Sequence, residues 1–381
     1  MSVVALFYHA PHHAPGLVEA LRRQKHPSFP DQEDWLSVIL MDNGSTDRTG
    51  EILARQVALA GSPRHWQIVT NPENLGYARA MNKALGLVRT PYVLTCHSDC
   101  QFASDDYVAT MADLLDRHPE AGAIAGQPAV PARESIPFAE KVNLVASLMD
   151  IFPSETSEEL VPVGFAEGRC DAFRLSAVAA AGFYDESHHA AGEDQILSAR
   201  MRRAGLQIYQ APRLRYFLSV SDEQDTVGKL LRHVTLFGEK HPFLVLRGRA
   251  GAGVVGEGAG ANRRARFLLR LNQLASVLVY LGVIAAIAVG ARPSLWGGAL
   301  GALLLAKILL FSRHMRAVRL GLAEAAGFFL LQPALDVCYT GGFVRGLWLV
   351  IERSRGRAAS LPPSGRPRGP GSTRDSPDPG P

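Results

Sequence analysis

The sequence predicts an α/β domain built on a mostly parallel sheet, followed by an α-helical membrane region. Three observations carry that prediction. Up to about residue 220, apolar runs of strand length alternate with stretches of helical period, the pattern of a parallel sheet covered by helices. Residues 271–291 form a run of 21 uncharged, mostly apolar residues, and at about 1.5 Å per residue such a run crosses a hydrocarbon core of roughly 30 Å. From Arg353 onward the chain is rich in Pro, Gly, Ser and Arg, a composition that cannot bury a core.

Length and charge narrow the reading further. A chain of 381 residues exceeds one compact domain. The net charge is only +4, and the arginines cluster beside apolar segments without interleaved aromatics. This excludes a nucleic-acid partner as a first reading and favours a membrane surface. Four scattered cysteines, Cys96, Cys100, Cys170 and Cys338, are too few for a disulfide framework, which suggests a reducing compartment.

The elements follow in order. Strands are expected over residues 2–8, 35–41, 65–69, 92–96 and 122–126. The opening residues lack a basic leader and a long apolar core, so they read as the first strand and the soluble part is expected in the cytosol. Ser45 or Thr46 is expected to cap a helix through Ile52, Leu53 and Val57, and a second helix runs through Ala78, Met81, Ala84 and Leu87. These elements make a catalytic-type domain over residues 1–220.

Residues 221–266 read as an interfacial helix and a Gly-rich linker. Within it Gly251-Ala-Gly-Val-Val-Gly256 matches G-x-G-x-x-G, but no βαβ unit surrounds it, so it reads as a loop. Residues 267–352 form the membrane region. Residues 271–291 and 293–311 make a transmembrane hairpin, with Lys307 expected to snorkel toward the headgroups. Arg263, Arg264, Arg266 and Arg270 precede it and Arg313, Arg316 and Arg319 follow it, which places both flanks in the cytosol. Residues 323–351 are interrupted by Pro333, Asp336, Gly341, Gly342 and Arg345. A single span would put Arg353, Arg355 and Arg357 outside, so two short re-entrant or interfacial helices are expected. Residues 353–381 read as a disordered basic tail.

Chemistry concentrates at strand ends. The segment Val38-Ile-Leu-Met-Asp-Asn-Gly-Ser-Thr-Asp47 runs from four apolar residues into polar ones. Ligands of open α/β sheets bind beyond the carboxyl ends of strands, where Asp42 can accept hydrogen bonds and Gly44 allows close backbone approach. The same residue types also make turns and helix caps. Asn71-Pro-Glu-Asn-Leu-Gly76, with Asn82 beyond it, follows the third strand, and Cys96-His-Ser-Asp-Cys100 ends the fourth. A later segment, Gly168-Arg-Cys-Asp-Ala-Phe-Arg174, leads to Gly182-Phe-Tyr-Asp185 and Gly192-Glu-Asp194.

Together these motifs resemble the family 2 glycosyltransferases of the GT-A fold, over roughly residues 2–220. The resemblance implies a donor site for a nucleotide-sugar built from Tyr8, Asp42, Asn43, Asn71, Asn74, Gly76, Asn82, His97 and Asp99. It implies that Asp99 binds a divalent cation, Mg or Mn, although His97 stands where the family's Asp-x-Asp element has its first aspartate. It places Asp194 as general base with Glu193 beside it, and Asp171 and Arg174 on the acceptor side. Acidic residues are also favoured at any helix N-terminus by its dipole, and that dipole is expected to lower the Asp194 pKa.

One base and one cation suffice when the leaving group is a nucleoside diphosphate, and inversion is then expected. The membrane runs point to a lipid-linked or glycan acceptor at the cytosolic face of the inner (plasma) membrane, on a multi-pass chain. The Cys96/Cys100 pair has no second ligand pair at metal spacing, so zinc is not expected. Lys229-Leu-Leu-Arg232-His233 matches only the arginine of the family's processive Gln-x-x-Arg-Trp element, which favours transfer of a single sugar. A processive polysaccharide synthase and a non-catalytic, membrane-tethered nucleotide-binding protein are the rival readings.

Overall fold

The computed structural model of the chain describes residues 1–27, 35–129, 136–151, 159–186, 192–218, 226–249 and 260–358. The Gly-rich motif at 251–256, residues 221–225 of the expected linker and the tail beyond 358 lie outside the described residues. Strand β1 (Ser2–Phe7) shows why the sheet forms. Its Val3, Ala5 and Phe7 pack into one core and Val4 into a second, so period-two alternation buries both faces. β1 pairs in parallel with β2 (Ser37–Asp42) and, on its other side, with β4 (Tyr92–His97); β3 (Trp66–Thr70) extends the sheet beyond β2. Helices α1 (Ala14–Arg22) and α2 (Thr49–Leu59) carry the chain outward from β1, and α3 (Tyr77–Leu85) returns it across to β4. The winding therefore reverses between β1 and β4, and the crevice at their carboxyl ends is a topological switch point.

Among the described residues, period and propensity missed four strands. These are β5 (Cys100–Phe102), β7 (Val161–Pro162), β8 (Cys170–Arg174) and β9 (Gln207–Leu218). With β6 (Ala121–Ala129) they complete the order β3-β2-β1-β4-β8-β6-β9-β5, with β7 on β9. β8 runs antiparallel between β4 and β6. Its polar Cys170-Asp-Ala-Phe-Arg174 carries no strand signature, and long-range pairing alone makes it one. Helices α4 (Tyr107–Arg117), α5 (Phe138–Ile151), α6 (Leu175–Ala180) and α7 (Glu193–Arg203) complete the domain.

The expected cap of α2 is displaced. Ser45 and Thr46 turn their hydroxyls to His9, and Asp47 Oδ1 instead accepts from the Thr49 N–H at 3.0 Å.

Among the described residues, four helices follow: α8 (Val227–Arg249), α9 (Gly260–Ala288), α10 (Pro293–Ala317) and α11 (Leu322–Ala358). The stretches Leu271–Ala288, Pro293–Ala317 and Leu322–Glu352 are each long and apolar enough to cross a membrane. Leu278, Leu295, Leu309 and Leu330 are more than half exposed along them, a surface suited to lipid.

Two expectations are corrected here. The last apolar stretch is one continuous helix, with Pro333 inside it, in place of two short ones, and helix continues through residues 353–358. Packing decides this: a Cβ on Gly342 would stand 2.1 Å from the Thr235 carbonyl and one on Gly346 would stand 2.0 Å from that of Glu239. The glycines are therefore where α8 touches α11, not where α11 breaks. Lys307 does not snorkel. It is 3% exposed, and its Nζ donates to Asp336 Oδ2 of α11 at 2.8 Å.

The domain is fastened to these helices through α5 and α8. Ala139, Val142 and Val145 of α5 pack with Leu230, Phe311, Phe328 and Leu335, and Lys141 pairs with Glu324 at 2.6 Å.

Candidate active site

Three parallel strands deliver polar residues to the switch-point crevice. β1 ends before Tyr8, which is 46% exposed and stacks on His9 with ring centroids 4.2 Å apart. His9 has φ 48°, and its Nε2 accepts from the Thr46 N–H at 3.2 Å. β2 ends at Asp42, which is buried, and its Oδ1 accepts from the Ser45 N–H at 3.1 Å, so the turn-capping role of this residue is realised. Gly44, at φ 74°, approaches protein backbone: a Cβ there would sit 2.2 Å from the Glu73 carbonyl carbon.

The asparagines brace these loops. Asn43 Nδ2 donates to Asn74 Oδ1, Asn71 Nδ2 donates to Asn43 Oδ1, and Lys83 Nζ donates to Asn71 Oδ1 at 2.6 Å. Asn74 Oδ1 also accepts from the N–H of Gly76, whose φ of 77° opens α3. Asn82 holds the Tyr184 backbone through both amide atoms. Asn43, Asn71, Asn74 and Asn82 thus set the shape of the crevice by bonding to the protein itself.

β4 ends at His97, followed by Asp99. Burial pushes the His97 ring down to about 4, so it is neutral at pH 7. Asp99 Oδ1 accepts from the Cys100 thiol at 3.8 Å. Arg169 arrives from the loop before β8, its carbonyl accepting from the His97 N–H at 2.9 Å. Burial opposes the Arg169 charge, but Glu167, Tyr216 and Asp99 around it hold its pKa above the ordinary value. Glu167 Oε2 lies 3.5 Å from Arg169 Nε.

The other wall is the N-terminus of α7. Glu193 and Asp194 open this helix, and both are half-buried. Burial and then the neighbouring Glu167 raise the Asp194 pKa well above the ordinary carboxylate value, against the backbone N–H of Gln195. The expected depression by the helix dipole is therefore overturned, because desolvation and a like charge outweigh the helix terminus. Glu193 is also raised by burial, while Lys240 of α8 opposes the shift.

Tyr77 and Tyr184 bridge the two walls. The Tyr77 ring lies 5.7 Å from His97 and 5.6 Å from Tyr184, and both hydroxyls feel the Asp194 charge. A line of groups thus runs from Asp99 and His97 through Arg169 and Glu167 to Asp194. Glu167, Arg169, Tyr77 and Tyr184 were not predicted, since nothing in their spacing distinguishes them.

Two expected acceptor-side residues stand elsewhere. Asp171 is 1% exposed, with Oδ1 accepting from the Gly126 N–H at 2.9 Å and Oδ2 from the Gly168 N–H at 2.7 Å. Burial pushes its carboxyl up to about 7, and its work is to hold the loop that presents Arg169. Arg174 pairs in register with Tyr92 at the start of β4, about 16 Å from His97 at ~3.3 Å per residue. It donates to the carbonyls of Ala121, Leu115 and His118 and makes no part of the crevice.

The geometry agrees with comparisons to known proteins. A profile of the family described as Glycosyl transferase family 2 matches residues 2–179. An N-acetylglucosaminyl-diphospho-decaprenol L-rhamnosyltransferase of Mycobacterium tuberculosis is 28% identical over 204 residues, 46% of this chain and 64% of the relative. A teichoic acid poly(glycerol phosphate) polymerase of Staphylococcus epidermidis is 26% identical over 104 residues, 27% of this chain and 13% of the relative. The chain therefore spans less than two thirds of each relative's length.

Among solved structures, a mannosyltransferase of Pyrobaculum calidifontis, in complex with GDP-Man and Mn2+, superposes with a TM-score of 0.62 at 17% identity. The match covers 91% of this chain and 86% of that one, so the likeness in fold extends into the C-terminal helices. With a GT-A sheet and its switch-point crevice, residues 2–179 carry a glycosyltransferase family 2 domain.

Proposed function

We propose that this enzyme moves one sugar from a nucleotide-diphosphate sugar to a hydroxyl of a lipid-linked acceptor, with inversion, at the cytosolic face of the plasma membrane. The observation that carries this reading is the line of groups across the crevice, which runs from a donor side holding the Arg169 guanidinium to a carboxylate at α7. Asp194 is the base. A carboxylate raised by burial and by Glu167 is a better proton acceptor than an exposed one, and Tyr77 and Tyr184 fix its surroundings. It takes the acceptor hydroxyl proton as the oxygen attacks the anomeric carbon from the face opposite the diphosphate, and that geometry inverts the centre.

On the donor side, Arg169 offers a permanent positive charge to the departing phosphates, and neutral His97 offers a hydrogen bond to phosphate or ribose. Asp42 and Tyr8 lie at the strand ends where the nucleotide base is to be held. The Asp99 carboxylate fits a hard divalent cation, Mg2+ or Mn2+, which takes one protein carboxylate plus donor phosphate oxygens. Bound there, such an ion would offset the charge of the leaving diphosphate.

The membrane side supports a lipid acceptor. α8 approaches the base end of the crevice through Lys240 beside Glu193, and the same helix packs on α11. The mycobacterial relative's own name describes a decaprenol-linked acceptor. The test supplies labelled nucleotide-sugars and a detergent-solubilised polyprenyl-diphosphate-linked sugar to the purified chain. Label is expected in a lipid product one sugar longer; transfer only to soluble acceptors would remove the lipid assignment, and a ladder of products would replace single transfer with polymerisation. Asp194→Asn is expected to lose roughly a hundred- to ten-thousand-fold in turnover with donor binding retained, and unchanged turnover would take Asp194 out of the reaction.

A further inference from the structure

Beneath the donor side lies a cluster that the reaction does not use. Cys96 stands one residue before the end of β4, Cys100 opens β5, and Cys170 opens β8, so the third thiol, from a segment distant in sequence, joins the first two where three strands converge. All three are fully buried, and Cys96 stands directly opposite Cys170 in the β4–β8 register. Cys96 Sγ is 3.7 Å from Cys170 Sγ, and the three sulfurs all lie within 4.8 Å of one another. A buried cysteine ordinarily packs as a small apolar side chain. Here three sulfurs from separate strands point at a common centre, and the separations suit a metal. Two thiolates on one zinc at about 2.3 Å in tetrahedral array stand roughly 3.8 Å apart.

The sequence argued against zinc because no second ligand pair follows Cys96 and Cys100. The fold supplies the missing ligand from β8. The Asp99 carboxylate accepts from the Cys100 thiol at 3.8 Å, next to this cluster.

We propose that Cys96, Cys100 and Cys170 form a three-thiolate site for one thiophilic metal ion, of the zinc or cuprous class. Binding replaces the thiol protons with metal–sulfur bonds and releases those protons to solvent, with no change in oxidation state. The site is distinct from the hard-cation position at the Asp99 carboxylate, and it stands or falls independently of the transfer reaction.

The test uses the full chain in detergent under reductant, titrated with Cd2+ as a spectroscopic probe. One equivalent per chain is expected to raise the ultraviolet thiolate-to-cadmium absorption band, with matching proton release. Cys96→Ser, Cys100→Ser and Cys170→Ser are each expected to weaken binding at least tenfold, while Cys338→Ser on α11 leaves it unchanged. In the unaltered chain, pulsed with alkylating reagent across a series of denaturant concentrations so that the buried thiols open, Cd2+ or Zn2+ is expected to raise the denaturant concentration at which the three core cysteines, and not Cys338, become alkylated, as mapped by mass spectrometry. Absence of the band, its persistence in Cys170→Ser, or alkylation that ignores the metal would each overturn the proposal. The shielding measurement needs no substituted protein, so it decides the matter even where a variant fails to fold.

Discussion

At the scale of single residues, the proposed base, Asp194, is tuned by its surroundings. Asp194 occupies a helix N-terminus, a position that by itself stabilises a carboxylate anion. Burial and Glu167 reverse that preference and raise its pKa. The sign of the resulting pH dependence follows. The ionised form accepts the proton, so kcat/KM falls as pH drops through the Asp194 pKa, and that fall lies at higher pH than for an ordinary carboxylate. Replacing Glu167 with Gln removes the like charge and frees Arg169, and both changes lower the Asp194 pKa. The acid limb of the pH–rate profile is therefore expected to move to lower pH in E167Q. A limb that stays in place or moves up would mean that Glu167 does not act on the base. Neither Glu167 nor the direction of this shift was readable from the motif Gly192-Glu-Asp194, because both depend on a residue 27 positions away.

At the scale of elements, strands and helices with a strong period were legible, and those made by contact were not. The strands expected at 2–8, 35–41, 65–69, 92–96 and 122–126 correspond to β1, β2, β3, β4 and β6 within about two residues at most ends. β8 escaped because Asp171 and Arg174 interrupt its apolar pattern, each for a local reason: one holds a loop and the other ties α4 to the sheet. Reading α11 as broken had the opposite cause, since its glycines look like breakers and serve as contact points.

Substitution separates the two roles. Gly342→Ala drives a Cβ into the Thr235 carbonyl and is expected to destabilise the chain by about 1–3 kcal/mol. A Cβ on the adjacent Gly341 meets nothing within 4 Å, so Gly341→Ala is expected to be neutral or stabilising by up to about 1 kcal/mol. Thermal unfolding in detergent compares them, and equal effects would mean that α8 and α11 do not touch as described.

At the scale of the whole molecule, a polar cluster ties the three candidate membrane helices together. Lys307 of α10 donates to Asp336 of α11 at 2.8 Å, and Tyr280 of α9 donates to the same Asp336 oxygen at 2.9 Å. Buried charges of this kind stabilise little by themselves but penalise the loss of one partner. Lys307→Met alone is expected to destabilise by about 3–5 kcal/mol. The double variant Lys307→Met with Asp336→Leu is expected to recover much of that loss. A double variant no more stable than the single one would show the two residues to be uncoupled. Because α5 and α8 anchor the catalytic domain on these helices, loosening the cluster is also expected to weaken transfer to a lipid acceptor more than to a soluble one.

Local periodicity determined, without any coordinates, that this protein has a parallel α/β core with polar strand ends and a helical apolar region of membrane length. Those features depend on neighbours three or four residues away or on alternation within one strand. What the tertiary structure decided depends on distance in space: β8 between β4 and β6, the arrival of Glu167 and Arg169, the asparagines turned inward as braces, and the three cysteines meeting. Desolvation and like charge, the forces that set Asp194 against its own helix terminus, act only once the chain has closed around it.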